Sequence, residues 1–270
     1  MKYMKCDFHM HSTVSDGSDT IAQLIEKAWE RGLYAIAITE HDTLSHILQI
    51  PTNAGIHVAA GVEISAEHKQ SGTTAHILGY NIEKPEIVTA LTQPLLEVRS
   101  RLSEKQAEII AGLGYDITPS QPARGDGKYL YKQHIMEWLC ETGQAFEMFG
   151  EFYNRVFKGG GVCDLRIEYP CASDAVRAIK EAGGLAVLAH PGQQANFWII
   201  SELLSHGLDG LELNHPSHSA SDKEKIRAYA KKHNLFLTGG SDYHGKYGKL
   251  PHGVGDMLSE DSGIKAILGL

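Results

Sequence analysis

Two histidines, His9 and His11, stand two residues apart in the stretch CDFHMHSTVSDGSD, and Asp16 follows beside a glycine. In an extended segment alternate side chains share a face, so both imidazoles would point the same way and could share one metal ion. The same text suits a half-exposed strand running into a polar loop, and His-x-His alone does not decide between the two. The rest of the chain carries the decision. AIAIT runs into Glu40, His41 and Asp42, AAGV into Glu63, and AVLA into His190 and Pro191. GLEL runs into Asn214 and His215, FLTGG into Ser241, Asp242, Tyr243 and His244, and His76 opens AHILGY. One such histidine is ordinarily a core or surface residue with an everyday hydrogen bond. A whole series of half-buried imidazoles and carboxylates needs a cation among them.

The ligand types narrow that cation. Six imidazoles (His9, His11, His41, His76, His190, His244) and three carboxylates (Asp16, Glu63, Asp242), with no thiolate, suit Zn, Mn or Fe better than Mg or Ca. Nine ligands are too many for one ion and enough for two or three. A carboxylate bridging two ions would hold them about 3.5 to 4 Å apart, the spacing that stabilises attacking and leaving oxygens in phosphoryl displacement.

Such residues need a scaffold that gathers distant segments. The first 80 or so residues alternate strand and helix patterns: Thr20 is a plausible N-cap for a helix with Ile21, Leu24, Ile25 and Ala28 at helical spacing, ending at Gly32. Strands YAIAIT, IHVAAGVEIS and AHILGYNI follow. From 84 to 170 strand signals nearly vanish, with helical readings over 86–113 and around 132–158, separated by the loop TPSQPARGDGK. Its Arg124, Asp126 and Lys128 read as solvated. Strands LAVLAH, LDGLELN and LFLTGGS then return between helices near 173–183 (capped by Ser173), 198–206 and 221–233. The pattern predicts a βα-type domain of residues 1–83 and 171–270, interrupted by a mainly helical insertion over 84–170. In a barrel of parallel strands the C-terminal strand ends converge on one face, where such folds carry chemistry.

Composition is consistent with this and excludes other classes. The chain has 270 residues, 42% hydrophobic and 21% charged, within the ordinary globular range. Its apolar runs are far shorter than the roughly 18 residues of a membrane helix, and no apolar signal-peptide core precedes His9, so a cytoplasmic location is expected. Cys6, Cys140, Cys163 and Cys171 lack C-x-x-C spacing, which argues against a disulfide framework or a thiolate zinc site. A net charge of -8 disfavours broad binding to nucleic acid or anionic membrane. Three divalent ions would nearly cancel it at one place.

The series DFHMHSTVSDGS, ITEHDT, GVEIS, HILGY, AHPG and GGSDYHG resembles the PHP (polymerase and histidinol phosphatase) family of metal-dependent phosphoesterases. HILGY and the interrupted layout are similar to its stand-alone bacterial branch, which acts on nucleoside 3′,5′-bisphosphates and short RNA 5′ ends. The resemblance implies a distorted (β/α)7, TIM-like barrel with a trinuclear site at its C-terminal face. In that scheme His9, His11, Glu63 and Asp242 hold one ion, Glu63 bridges to a second held by His76 and His190, and Asp16, His41 and His244 hold the third. The branch's Arg-x-His-Ile-Ala pattern reads here as Lys132, Gln133, His134, Ile135, Met136, so Lys132 and His134 would line a substrate phosphate. Lysine keeps the charge but loses arginine's bidentate fork. Glu40 stands where the family more often has aspartate. His218, in NHPSHS, falls on a family-like segment and would contact phosphate or protonate the leaving group.

The resemblance thus implies hydrolysis of a phosphomonoester on a small nucleotide by water activated on two or three divalent Mn, Zn or Fe ions, with no protein nucleophile; no Gly-x-Ser-x-Gly motif occurs. Histidinol-phosphate hydrolysis, 5′-3′ exonuclease action on short RNA, an amidohydrolase-like reaction and a non-catalytic metal-binding module are the alternatives. No membrane and no obligate protein partner is expected.

Overall fold

The computed structural model of the chain describes residues 4–248 and 252–270. Its strands are β1 (Cys6–Asp7), β2 (Ala35–His41), β3 (His57–His68), β4 (Thr73–Tyr80), β5 (Leu185–Leu188), β6 (Gly210–Asn214) and β7 (Phe236–Gly239), paired in chain order. The edges approach each other beyond β1 and β7. Phe8 N donates to Gly239 O (3.1 Å), Asp242 N to His9 O (2.8 Å) and His11 N to Tyr243 O (2.9 Å). The result is a nearly closed α/β barrel.

The barrel is not wholly parallel. β4 runs antiparallel to both β3 and β5, while the other pairs are parallel. The cause is length: only residues 69–72 join β3 to β4, and a parallel crossover needs a dozen or more. This reversal puts the start of β4 beside the end of β3, with His76 opposite Ser65, so His76 reaches the same rim as residues at the ends of the parallel strands.

The helices are α1 (Ile21–Glu30), α2 (Pro85–Gly112), α3 (Lys132–Glu141), α4 (Glu151–Phe157), α5 (Ala172–Glu181), α6 (Ile200–Leu204), α7 (Ala220–His233) and α8 (Asp261–Leu268). Thr20 caps α1 by accepting from Gln23 N, as its side-chain chemistry allows. The cap of α5 is Cys171 and not the expected Ser173. Glu67 and Cys171 form a β-bridge that delivers extended chain to the helix two residues early, leaving Ser173 in the first turn. Helix α8 carries no sequence signal singled out above, yet it packs on β7 so closely that a Cβ on Gly263 would lie 2.3 Å from Leu237 O.

Ile64, Ile77, Leu188 and Leu211 of the strands pack with Val176, Ile179 and Ile226 of α5 and α7. Truncating one of them to alanine costs about 2–5 kcal/mol. The stretch between β4 and β5 builds a separate apolar cluster from Ile110, Leu130, Ile135, Leu139, Val156 and Phe157. No described helix is long and apolar enough to cross a membrane.

Candidate metal centre

Glu63, near the middle of β3, is buried and faces a ring of imidazoles. Its Oε1 meets His76 Nδ1 at 2.7 Å and His190 Nε2 at 2.9 Å; its Oε2 lies 3.1 Å from both His9 Nε2 and His11 Nε2 and 3.3 Å from His41 Nδ1. Asp242, just past β7, adds Oδ1 at 3.4 Å from His9 Nε2 and 3.3 Å from His11 Nε2. Asp16 lies to one side, with Oδ1 3.4 Å from His244 Nε2 and Oδ2 3.9 Å from His41 Nε2. All nine residues singled out from the sequence therefore meet at one end of the barrel. Candidate ion-holding groups among the described residues are His9–His11–Glu63–Asp242, His11–Asp16–His41–His244, His41–Glu63–His76 and His190–His215–Asp242.

The arrangement fits cations for a reason visible in the tautomers. His9 Nδ1 bonds Glu212 Oε1 at 2.9 Å, and His244 Nδ1 bonds Asp242 O at 2.8 Å. With the proton spent there, each Nε2 turns a lone pair toward a carboxylate, the pattern of a metal ligand held from behind. Lone pairs aimed at one another repel unless positive charge lies between them. Accordingly, of the fifteen buried side-chain atoms left without a hydrogen bond among the described residues, seven belong here: His9 Nε2, both nitrogens of His11, His41 Nδ1, Glu63 Oε2, His190 Nδ1 and Asp242 Oδ1. Burial raises the Glu63 pKa, yet His41, His9 and His76 outweigh it and hold the carboxyl well below its usual range. Burial likewise opposes charge on His9, but Glu212, Glu63 and Asp242 push its pKa well up. The pocket demands positive charge, from protons if not from metal.

The backbone is bent to make these ends meet. His190 (φ 25°) and Asp242 (φ 49°) sit in the left-handed region, held by Glu212 Oε2 accepting from His190 N (2.9 Å) and by the Asp242 N bond to His9 O. Glu40 is buried and accepts from Ser12 N and Ser15 N, both at 3.1 Å, and from both serine hydroxyls, which shapes the loop that aims Asp16. Asp7 accepts from Ser241 N (3.0 Å) and Gly255 N (2.8 Å); burial outweighs those bonds and pushes its carboxyl up to about 6.

Two cavities share this rim. The larger, about 530 Å³, lies over Asp16, His41, Glu63, His76, His190 and Asp242 and is walled by Phe149, Tyr153 and Tyr247. The smaller, about 190 Å³, is also bounded by Asp16, His41 and His76 but reaches back to Arg99, Tyr131 and Lys132. Arg99 donates to Asp42 (2.8 Å) and Ser65 Oγ (3.0 Å), and its Nε is buried without a partner. Burial, with Lys158 and Arg99 nearby, pulls the Lys132 pKa down, so an anion there would be welcome.

Lys132 thus lines a cavity, while His134 and His218 are absent from both linings. His134 is buried against Tyr131 and Tyr247, its Nδ1 3.3 Å from Tyr131 N at the start of α3. His218 Nδ1 donates to Leu213 O (2.8 Å) and its Nε2 accepts from Gly192 N (3.2 Å). Both ring nitrogens are therefore engaged by backbone groups. His215, which ends the run GLEL but was not among the nine expected ligands, also joins the cluster, with Nε2 3.3 Å from Asp242 Oδ2. Glu212 lies between Leu211 and Leu213 in a buried strand, and a charged residue in such a run announces a partner. Arg124 and Asp126 are paired rather than simply solvated: Arg124 binds Glu104 (2.8 Å), and Asp126 accepts from Thr13 Oγ1.

Imidazoles and carboxylates converging on one end of a nearly closed α/β barrel define a metal-dependent hydrolase. Residues 7–187 match the PHP domain, and the chain belongs to that family. It is 39% identical over 252 residues to the phosphoribosyl 1,2-cyclic phosphate 1,2-diphosphodiesterase of Eggerthella lenta, covering 91% of this chain and 96% of the relative. It is 29% identical over 251 residues to the 3′,5′-nucleoside bisphosphate phosphatase of Chromobacterium violaceum (88% and 86%). A solved structure from Bifidobacterium adolescentis, designated a metal-dependent phosphoesterase, superposes with TM-score 0.86 at 26% identity, covering 98% of this chain and 96% of that one. The chain is a metal-dependent phosphoester hydrolase.

Proposed function

We propose that the protein hydrolyses a phosphoester on a ribose that carries a second phosphoryl group, as in a nucleoside 3′,5′-bisphosphate or a phosphoribosyl cyclic phosphate. The observation that carries this reading is the pair of cavities meeting at Asp16, His41 and His76, one over the carboxylate–imidazole cluster and the other ending at Arg99 and Lys132. The reacting phosphoryl belongs in the first and the spectator phosphoryl in the second. Both relatives named above have substrates with two phosphoryl groups, which supports the assignment.

His9, His11, Glu63 and Asp242 would hold one ion, His76 and His190 with Glu63 a second, and Asp16, His41 and His244 a third, drawn from Mn, Zn or Fe. Bound ions would supply Lewis-acid charge and an activated water. The chain's own residues do the rest. Arg99 and Lys132 fix the remote phosphoryl and so orient the reacting one. Phe149, Tyr153 and Tyr247 give the sugar or base an apolar wall and keep bulk water off it. Glu212 holds the His9 tautomer from behind, whereas His215 Nδ1 accepts from Ser217 N (3.1 Å), which leaves the ring proton on Nε2, facing Asp242 Oδ2. The helical stretch 84–170 is accordingly an insertion that completes the substrate pocket. Four cysteines without a disulfide suit a reducing, cytoplasmic setting.

Hydrolysis, read as phosphate release from a nucleoside 3′,5′-bisphosphate and as ring opening of a ribose 1,2-cyclic phosphate 5-phosphate, is to be compared with that of the same compounds lacking the remote phosphate. The expected result is a kcat/KM lower by about 10- to 100-fold when the remote phosphate is absent, the worth of one or two charged hydrogen bonds. Equal kcat/KM for both members of each pair contradicts the reading, and preference for a longer RNA replaces it with an exonuclease.

A further inference from the structure

The ligand-bearing segments differ in what holds them. Those of His9, Glu63, His76, His190 and Asp242 are fixed by strand pairing, by Glu212 and by backbone bonds within the barrel. The group Asp16–His41–His244 shares that support, with His41 opposite Glu63 in the β2–β3 ladder and Glu40 under the Asp16 loop, but it is also gripped from outside. Asp16 Oδ2 accepts from Gln133 Nε2 at 2.7 Å, with Gln133 on α3. The loop carrying Asp16 is held at Thr13, whose carbonyl accepts from Asp126 N (2.9 Å) and Gly127 N (3.3 Å) and whose hydroxyl donates to Asp126. Contact is so close that a Cβ on Gly125 or Gly127 would fall 2.4 Å from Thr13 O or 2.2 Å from Val14 O. Past His244, Lys246 and Tyr247 both bind Glu137, again on α3. The Tyr131 hydroxyl reaches toward His41 O at 3.5 Å.

We propose that residues 125–137 set the metal affinity of the Asp16–His41–His244 group, with Gln133 and Asp126 as positioning residues that act through Asp16. The third ion is then held jointly by the barrel and the helical stretch, and its binding is coupled to how that stretch sits. This rests on the metal-site reading above. One carboxylate oxygen of Asp16 is held by a side-chain amide while the other faces His244, so loss of the amide frees the carboxylate to rotate away. Supporting partners of this kind change metal affinity by roughly 10- to 100-fold.

The test is Mn²⁺ titration of chelator-stripped full-length protein, with free Mn²⁺ read by electron paramagnetic resonance. Wild-type protein is compared with Gln133→Leu, Asp126→Ala, Glu212→Gln and His244→Ala. The expected result is that Gln133→Leu and Asp126→Ala each weaken one equivalent by about 10- to 100-fold and leave the others unchanged. That equivalent is the one lost in His244→Ala, so Gln133→Leu adds nothing in the His244→Ala background. Glu212→Gln weakens a different equivalent. Asp126→Ala approaches the loop from its far side and serves if Gln133→Leu disturbs α3. Wild-type affinities in both variants, or uniform weakening of every equivalent, overturn the coupling. Wild-type protein that binds no Mn²⁺ overturns the metal assignment itself, a separate and recognisable failure.

Discussion

Strands and helices contribute to this site in different currencies. From the barrel come imidazoles and carboxylates fixed by backbone ladders: Glu63 and His76 stand on paired strands two rungs apart, where register leaves little freedom. From the stretch between β4 and β5 come single polar atoms at the tips of longer side chains, Gln133 on Asp16, Arg99 on Asp42 and Lys132 at the end of the smaller cavity. The first arrangement suits chemistry that tolerates no displacement. The second suits recognition and adjustment, because its own apolar cluster around Ile135 and Phe157 is separate from the barrel's.

Substitutions on the two sides should diverge accordingly. Asp242→Ala or Glu63→Ala, each removing a carboxylate shared by several imidazoles, is expected to lower phosphate release by about 10³-fold or more, since an ion supplies several kcal/mol of charge stabilisation. Residual turnover within tenfold of wild type would remove the barrel rim from the chemistry. Chelation should lower the thermal midpoint by roughly 5–10 °C, because an ion present at 100 times its Kd contributes about 2.7 kcal/mol. A midpoint unmoved by chelator, followed by circular dichroism, would mean that the rim holds no ion.

On the other side, Lys132→Ala is expected to lower kcat/KM by about 10-fold or more for a substrate with two phosphoryl groups. It should leave an aryl monophosphate unaffected. Equal losses on both would place Lys132 at the reacting phosphoryl and dissolve the division of labour. Burial pushes the Cys6 thiol up to about 12 and the Cys163 thiol up to about 11. Cys6 belongs to the barrel core and Cys163 to the helical cluster. In metal-free protein, alkylation followed by peptide mass spectrometry should find Cys163 modified several-fold faster than Cys6, as local opening of the less constrained region predicts. Equal rates would mean that the two regions open together.

Much of the rim was legible because histidine and aspartate after an apolar run stand out against their neighbours. The fold class followed from the same alternation. What stayed hidden has physical reasons. The reversal of β4 was encoded only in the shortness of the 69–72 connection, and that shortness is what brings the first half of β4, with His76, to the rim. Glu212 was masked by the leucines on either side, although inward and outward positions alternate along β6. Arg99 lies 57 residues from Asp42 on a long helix whose local pattern says nothing about a partner across the cleft. His134 and His218 drew attention through the family resemblance, yet His218 spends both ring nitrogens on backbone groups and His134 one, a fact that only three-dimensional neighbours reveal.

The most direct test is phosphate release from a nucleoside 3′,5′-bisphosphate followed as Mn²⁺ is returned to chelated protein, with Glu63→Ala treated in parallel. Turnover should be absent from the stripped enzyme, rise with bound metal in wild type, and stay absent in Glu63→Ala at every metal concentration. Turnover that survives chelation, or that Glu63→Ala retains, would contradict hydrolysis at this metal-holding rim.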